Sequence, residues 1–121
     1  MRTRTLCLLL LVAAWAATPS AFFHFELLKS SPSAKMALKT SPAHLQLWFS
    51  QVPAAGVSAI TLSQDGKHVA VTKTVITASD KSMTVDPVNT LTPGNYVIHW
   101  RGAGDDGHVQ QGDIAFSVAA K

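Results

Sequence analysis

The chain has 121 residues, 47% of them hydrophobic, and its ten basic and seven acidic residues give a formal net charge of +3. This length suffices for one domain with a single core. The basic residues are dispersed rather than clustered with aromatic residues, which argues against a nucleic-acid partner. With Cys7 as its single cysteine, the chain cannot form an internal disulfide framework.

The first residues have the layout of a secretory signal peptide. Arg2 and Arg4 precede a short apolar run that contains the cysteine, and small residues follow. The run is too short for an ordinary membrane-spanning helix, and no later stretch approaches eighteen uninterrupted apolar residues. We expect a signal peptide over residues 1–21, with a cleavage position that is uncertain between residues 16 and 23, and an exported soluble domain over residues 22–121. That domain has no thiol, which excludes thiolate metal sites and cysteine nucleophiles.

The rest of the chain consists of short runs in which apolar and polar residues alternate, separated by Pro, Gly, Asp and Ser. No amphipathic stretch of helical period exceeds a turn or two, so the pattern predicts an all-β domain. The clearest strand covers residues 44–50, and its apolar side chains share one face. Asp65 and Gly66 lie between two alternating runs, 57–63 and 67–73, and predict a tight hairpin turn.

The last third of the chain predicts two long strands joined by a loop. In the strand over residues 95–102, Tyr96 and Trp100 are expected in the core, and the final strand covers residues 112–120. The segment between them is too rich in Gly and Asp for regular structure. With three weaker strands the total is close to seven, the number in an immunoglobulin-like Greek-key β-sandwich. These weaker strands cover residues 25–29, 74–78 and 82–85.

Histidines are the candidate metal ligands of an exported chain without cysteine. His108 lies in an Asp106-Gly107-His108 loop, and Asp and His separated by one residue project to the same side of an extended chain. A carboxylate with neutral imidazoles suits Cu(II) or Zn(II) better than Mg(II) or Ca(II). The alternative interpretation is a turn, in which Asp106 caps the loop backbone and Gly107 supplies an unusual φ. His24 lies beside the expected mature amino terminus.

A series of short motifs spans nearly all of the expected mature chain. In order, they are His24, Ser30-Ser31-Pro32, Pro42, Leu45-Leu47-Phe49-Ser50, Leu91-Thr92-Pro93-Gly94-Asn95-Tyr96, Trp100-Arg101, Asp106-Gly107-His108, Gly112 and Phe116-Ser117-Val118. Their order and spacing resemble those of the CopC-type periplasmic copper-binding proteins. The resemblance implies a seven-stranded Greek-key sandwich that holds Cu(II) through a first histidine, with its free amine, and the Asp and His of the loop.

On this chain the implied copper ligands are His24, Asp106 and His108. The resemblance also implies a periplasmic carrier or buffer in copper resistance or homeostasis, and not an enzyme. Its partners would be the copper ion and a CopD-like copper transporter of the inner membrane, and the protein would be monomeric.

The amino terminus departs from the family pattern. Cleavage after Phe23 would make His24 the first residue, but an aromatic residue is a poor signal-peptidase site. Cleavage after Ala21 would start the mature chain with Phe-Phe-His, in which the amine, two amide nitrogens and the imidazole can chelate Cu(II) or Ni(II) in a square plane. Such a terminal chelate would leave Asp106 and His108 at most an axial role.

Two other departures concern ligand types. The expected mature chain has only Met36 and Met83, whereas some family members have a Met-rich loop, and Cu(I) needs soft thioether ligands. This argues against a dedicated Cu(I) site. Gln51 stands where the family often has an acidic residue, and the sequence assigns it no role.

The remaining histidines have structural interpretations. His44 and His68 are expected at the surface, and Glu26 is placed outside the ligand set. His99 is expected to be hydrogen-bonded rather than a first ligand, although it is the best substitute ligand among them. Two alternatives to a copper carrier stay open: a metal-free immunoglobulin-like structural module and a copper-dependent oxygenase.

Overall fold

Nine strands and no helix make up residues 24–120, the part of the chain that the computed structural model describes. The predicted signal peptide and its cleavage site lie outside these residues. Residues 24–120 also contain no helix with the length and apolarity needed to span a bilayer. The strands are β1 (Leu27–Ser31), β2 (Met36–Leu38), β3 (Leu45–Phe49), β4 (Ala59–Gln64), β5 (Lys67–Val69), β6 (Val75–Thr77), β7 (Ser82–Val85), β8 (Gly94–Gly102) and β9 (Gln110–Val118).

The strands form two sheets that enclose one core. One sheet has the order β1-β3-β7-β6, and the other has the order β2-β9-β8-β4-β5. Alternate residues of β3, β4, β8 and β9 are buried, which places one face of each sheet in the interior and the other toward solvent. The predicted all-β sandwich is confirmed.

The predicted number of about seven strands is wrong, because residues 24–120 alone contain nine. Among them, β2 has no counterpart in the predicted segments. It has three residues, none of them fully buried, and it pairs in parallel with residues 116–118 of β9 at the edge of its sheet. An edge strand this short has no room for a recognisable alternation, so its sequence carries no strand signal.

The predicted hairpin turn joins β4 to β5. Gln64 pairs with Lys67, and the two residues between them, Asp65 and Gly66, have φ values of 50° and 80°. Positive φ at both central residues is the geometry of a two-residue type I′ turn, which Asp-Gly favours. The turn fixes the register of the ladder and therefore places Ser63 opposite His68.

Aromatic side chains fill the core, as predicted for two of them. Tyr96 is 1% exposed and Trp100 is 8% exposed. The Phe25 ring stacks on Phe49 with centroids 4.5 Å apart, and Trp100 meets Phe49 edge-on at 5.1 Å. Such pairs add about 0.5–1.5 kcal/mol each to the stability gained by burial. Phe25 precedes β1, so this packing anchors the start of the described chain in the core.

Candidate metal centre

The loop over residues 103–109 joins β8 to β9 and contains the Asp-Gly-His motif. The His108 N–H donates to Oδ1 of Asp106 at 3.1 Å, and the Gly107 N–H donates to the Gly104 carbonyl at 3.2 Å. Gly107 has a φ of 72°, which a residue with a Cβ rarely adopts. The turn described by the alternative interpretation is therefore present. It engages one oxygen of the Asp106 carboxylate, and the second oxygen is a further potential acceptor.

The backbone of His24 is held at the end of β3 by Ser50. The Ser50 hydroxyl donates to the His24 carbonyl at 2.9 Å and accepts from the Glu26 N–H at 2.9 Å. The Ser50 N–H donates in turn to the Glu26 carbonyl at 2.9 Å. Residues 24–26 are thus held against the sandwich by hydrogen bonds to Ser50.

Phe25 brings this segment against the base of the loop. A Cβ added to Gly102 would lie 2.7 Å from Cε1 of Phe25, and one added to Gly104 would lie 3.3 Å from its Cβ. Real Cβ atoms do not approach other heavy atoms as closely as the first of these distances. The close approach of Phe25 therefore requires glycine at position 102, and it places His24 beside the loop that carries Asp106 and His108.

Gln51 joins the end of β3 to the same loop. Its Oε1 accepts a hydrogen bond from the Asp105 N–H at 2.9 Å, and a Cβ added to Gly104 would overlap that oxygen. The structure thus gives a role to a side chain for which the sequence suggested none. A glutamine in a strand-to-loop connection carries no sequence signal for this contact, because its partner lies 54 positions away.

The backbone segments of the three predicted ligands meet at one end of the sandwich, but their side chains are not gathered around a common point. His24, Asp106 and His108 are all exposed. Among residues 24–120, no three His, Cys, Asp or Glu side chains lie close enough together to hold one metal ion. The assignment of these three residues as ligands therefore stays a prediction.

The other histidines lie elsewhere on the surface, as predicted. His44 places Nδ1 2.6 Å from Oδ1 of Asp86, and His68 is exposed on β5. His99 is hydrogen-bonded through both ring nitrogens, to Asp113 at 2.7 Å and to Ser63 at 2.9 Å.

The two methionines within residues 24–120 also lie apart. Met36 is 44% exposed on β2, whereas Met83 is fully buried in β7. Two thioethers in such different surroundings do not share a site.

Comparison with known proteins gives the family. The CopC domain family matches residues 27–119. Copper resistance protein C from Xanthomonas campestris pv. juglandis is 34% identical over 115 residues, which cover 89% of this chain and 90% of that protein.

Solved structures give the same result. The crystal structure of CopC from Methylosinus trichosporium matches with a TM-score of 0.72 and 31% identity, over 79% of this chain and 94% of that one. PcoC, a methionine-rich copper resistance protein from Escherichia coli, matches with a TM-score of 0.70 and 33% identity, over 78% and 98% of the two chains. Since the family match covers most of the sequence and both structures share the fold, this chain belongs to the CopC family.

Proposed function

We propose that this chain is an exported Cu(II) carrier or buffer whose ion is bound by His24, Asp106 and His108. Members of the CopC family are periplasmic copper resistance proteins, so the chain is a copper-binding protein of this class and not an enzyme. We include in this proposal the ligand set, the signal peptide over residues 1–21 and the transfer partner.

The observation that carries the ligand assignment is the anchoring of His24 beside the Asp-Gly-His loop. Ser50 fixes the His24 carbonyl, and Phe25 packs against the glycines at the base of that loop. Because all three side chains are exposed, they can turn toward a shared ion without unpacking the core. One carboxylate and two imidazoles form a donor set that suits Cu(II).

Two positions of the mature amino terminus would let its amino group bind the ion, whereas a longer terminus would leave only the three side chains. If cleavage makes His24 the first residue, its amine joins its own imidazole, and the loop supplies the two remaining ligands. If the mature chain begins two residues earlier, the amine and two amide nitrogens compete with Asp106 and His108 for the same ion. The two forms differ in whether His108 contributes to affinity.

A carrier has to release its ion, and the exposed position of the proposed ligands favours this. An acceptor could approach His108 directly, because the side chain lies on a surface loop. We propose that the protein acts as a monomer and passes copper to a CopD-like transporter of the inner membrane.

The test is a Cu(II) titration of the natively exported protein, with its amino terminus read by mass spectrometry. We expect one tightly bound equivalent whose electron paramagnetic resonance spectrum shows coupling to imidazole nitrogen. Absence of a tight equivalent in the folded protein would overturn the proposed site.

Replacing Gln51 with methionine should weaken this copper site. Methionine has a similar length but no strong acceptor, so the Asp105 N–H loses its partner at the base of the loop. We expect about 1 kcal/mol lower stability, faster amide hydrogen exchange at Asp105, and a several-fold loss of Cu(II) affinity. Nuclear magnetic resonance and copper titration measure these effects.

Gln51→Glu is the matched control, since its carboxylate can still accept from the Asp105 N–H. It should preserve slow exchange and copper affinity. Unchanged exchange at Asp105 in Gln51→Met would show that Gln51 does not hold the loop, whatever the protein's affinity for copper.

A further inference from the structure

The outer face of the five-stranded sheet carries hydrogen-bonded side chains that the proposed copper site does not use. His99 of β8 places Nδ1 2.7 Å from Oδ1 of Asp113 on β9, and its Nε2 lies 2.9 Å from Oγ of Ser63 on β4. Their neighbours Ile98 and Ile114 are buried in the core. Because side chains alternate along a strand, the three polar residues face solvent on the opposite side of the sheet.

His68 of β5 lies on the same face. In the sheet order, β4 lies between β5 and β8, and Ser63 pairs directly with His68. Residues paired in this way project to the same side, with Cβ atoms about 4.5–5.5 Å apart. Ser63 therefore has an imidazole on either side of it. We call Ser63, His68, His99 and Asp113 the outer-face cluster.

The hydrogen bonds decide which nitrogen of His99 can bind a metal ion. A carboxylate only accepts, so the bond to Asp113 places the ring proton on Nδ1. In the neutral ring, Nε2 then carries a lone pair, to which the Ser63 hydroxyl donates. Histidines that bind metals commonly donate the N–H of one ring nitrogen to a carboxylate and bind the metal through the other, unprotonated nitrogen.

We propose that the outer-face cluster is a second metal site, in which Nε2 of His99 and the imidazole of His68 bind a divalent transition metal ion, Cu(II) or Zn(II). Asp113 orients the His99 ring, and the metal replaces the Ser63 hydroxyl as the partner of Nε2. Water completes the coordination. Two protein ligands make this site weaker than one with three.

The outer-face cluster also contains the three groups of a serine hydrolase: a nucleophile (Ser63), a base (His99) and an orienting carboxylate (Asp113). The side chains of His99 and Asp113 are 44% and 67% exposed, so water reaches them freely. Stabilisation of an oxyanion needs preorganised donors in a site that excludes water. Metal binding by imidazole has no such requirement, and the CopC family does not consist of enzymes.

The test uses the full exported chain with His24→Ala and His108→Ala, which removes the first proposed site. The probe is Cu(II), because its unpaired electron broadens the nuclear magnetic resonance signals of nearby atoms. We expect substoichiometric Cu(II) to broaden the signals of Ser63, His68 and His99. Adding either His99→Ala or His68→Ala should weaken this binding at least about tenfold, and Asp113→Ala about tenfold.

His44→Ala is the matched control, because His44 is also exposed and also bonded to a carboxylate, that of Asp86. It directly precedes β3 of the other sheet and is not part of the outer-face cluster, so its removal should leave the site intact. Equal broadening at His44, or undiminished binding after His68→Ala, would overturn the proposal. Since the readout is local and the background lacks the first site, the result is independent of the function proposed above.

Discussion

Replacing His108 with alanine is expected to lower the Cu(II) affinity of the exported protein at least about 100-fold. Changes to residues that only support a metal ligand cost about 10–100-fold, so removal of a direct ligand should cost at least the upper figure. The Asp106 bond to the backbone N–H at position 108 does not involve the imidazole, so the turn should persist. Copper titration of the variant measures the loss, and its thermal unfolding curve shows whether it is folded.

His24→Ala should produce a loss of similar size, since the two imidazoles bind the same ion in the proposed site. His44→Ala should leave the tight equivalent in place, because its imidazole pairs with Asp86 and not with the loop. Tight binding that depends on His24 but survives His108→Ala would indicate the amino-terminal chelate. Full Cu(II) affinity in both His24→Ala and His108→Ala would contradict the ligand assignment.

The fold could be predicted from the sequence wherever the signal is local. Leu45, Leu47 and Phe49 are all buried in β3, as their alternation predicts, and the Asp65-Gly66 pair forms the expected turn. The strand β2 could not be predicted, because three residues at a sheet edge owe their conformation to β9, which lies some eighty positions further along the chain.

The site could be predicted only in part for the same physical reason. The Asp106-Gly107-His108 loop is visible as a Gly- and Asp-rich segment between two strong strands. The contacts that hold His24 and the loop in place join residues far apart in the sequence. Ser50 lies 26 positions from His24, and Gln51 lies 54 positions from Asp105. Serine and glutamine occur in many connections, so neither residue indicates by itself which loop it contacts.

Phe25 links the stability of the sandwich to the geometry of the proposed copper site. It is 1% exposed, its ring stacks on Phe49, and it packs against Gly102 beside the base of the loop. Phe25→Ala should therefore lower the free energy of unfolding by about 3–5 kcal/mol, the usual cost of deleting a buried phenylalanine ring. Urea denaturation of the copper-free protein measures this loss.

Leu28→Ala is the matched control in the neighbouring strand, because Leu28 is 64% exposed and should change stability by no more than about 0.5 kcal/mol. Phe25→Leu keeps an apolar group in the core and provides a folded variant if Phe25→Ala does not fold. If His24 is positioned by this packing, Phe25→Leu should weaken Cu(II) binding in the wild-type chain and have no effect when His24 is alanine. A stability loss below about 1 kcal/mol for Phe25→Ala would show that the segment carrying His24 is not anchored by the core.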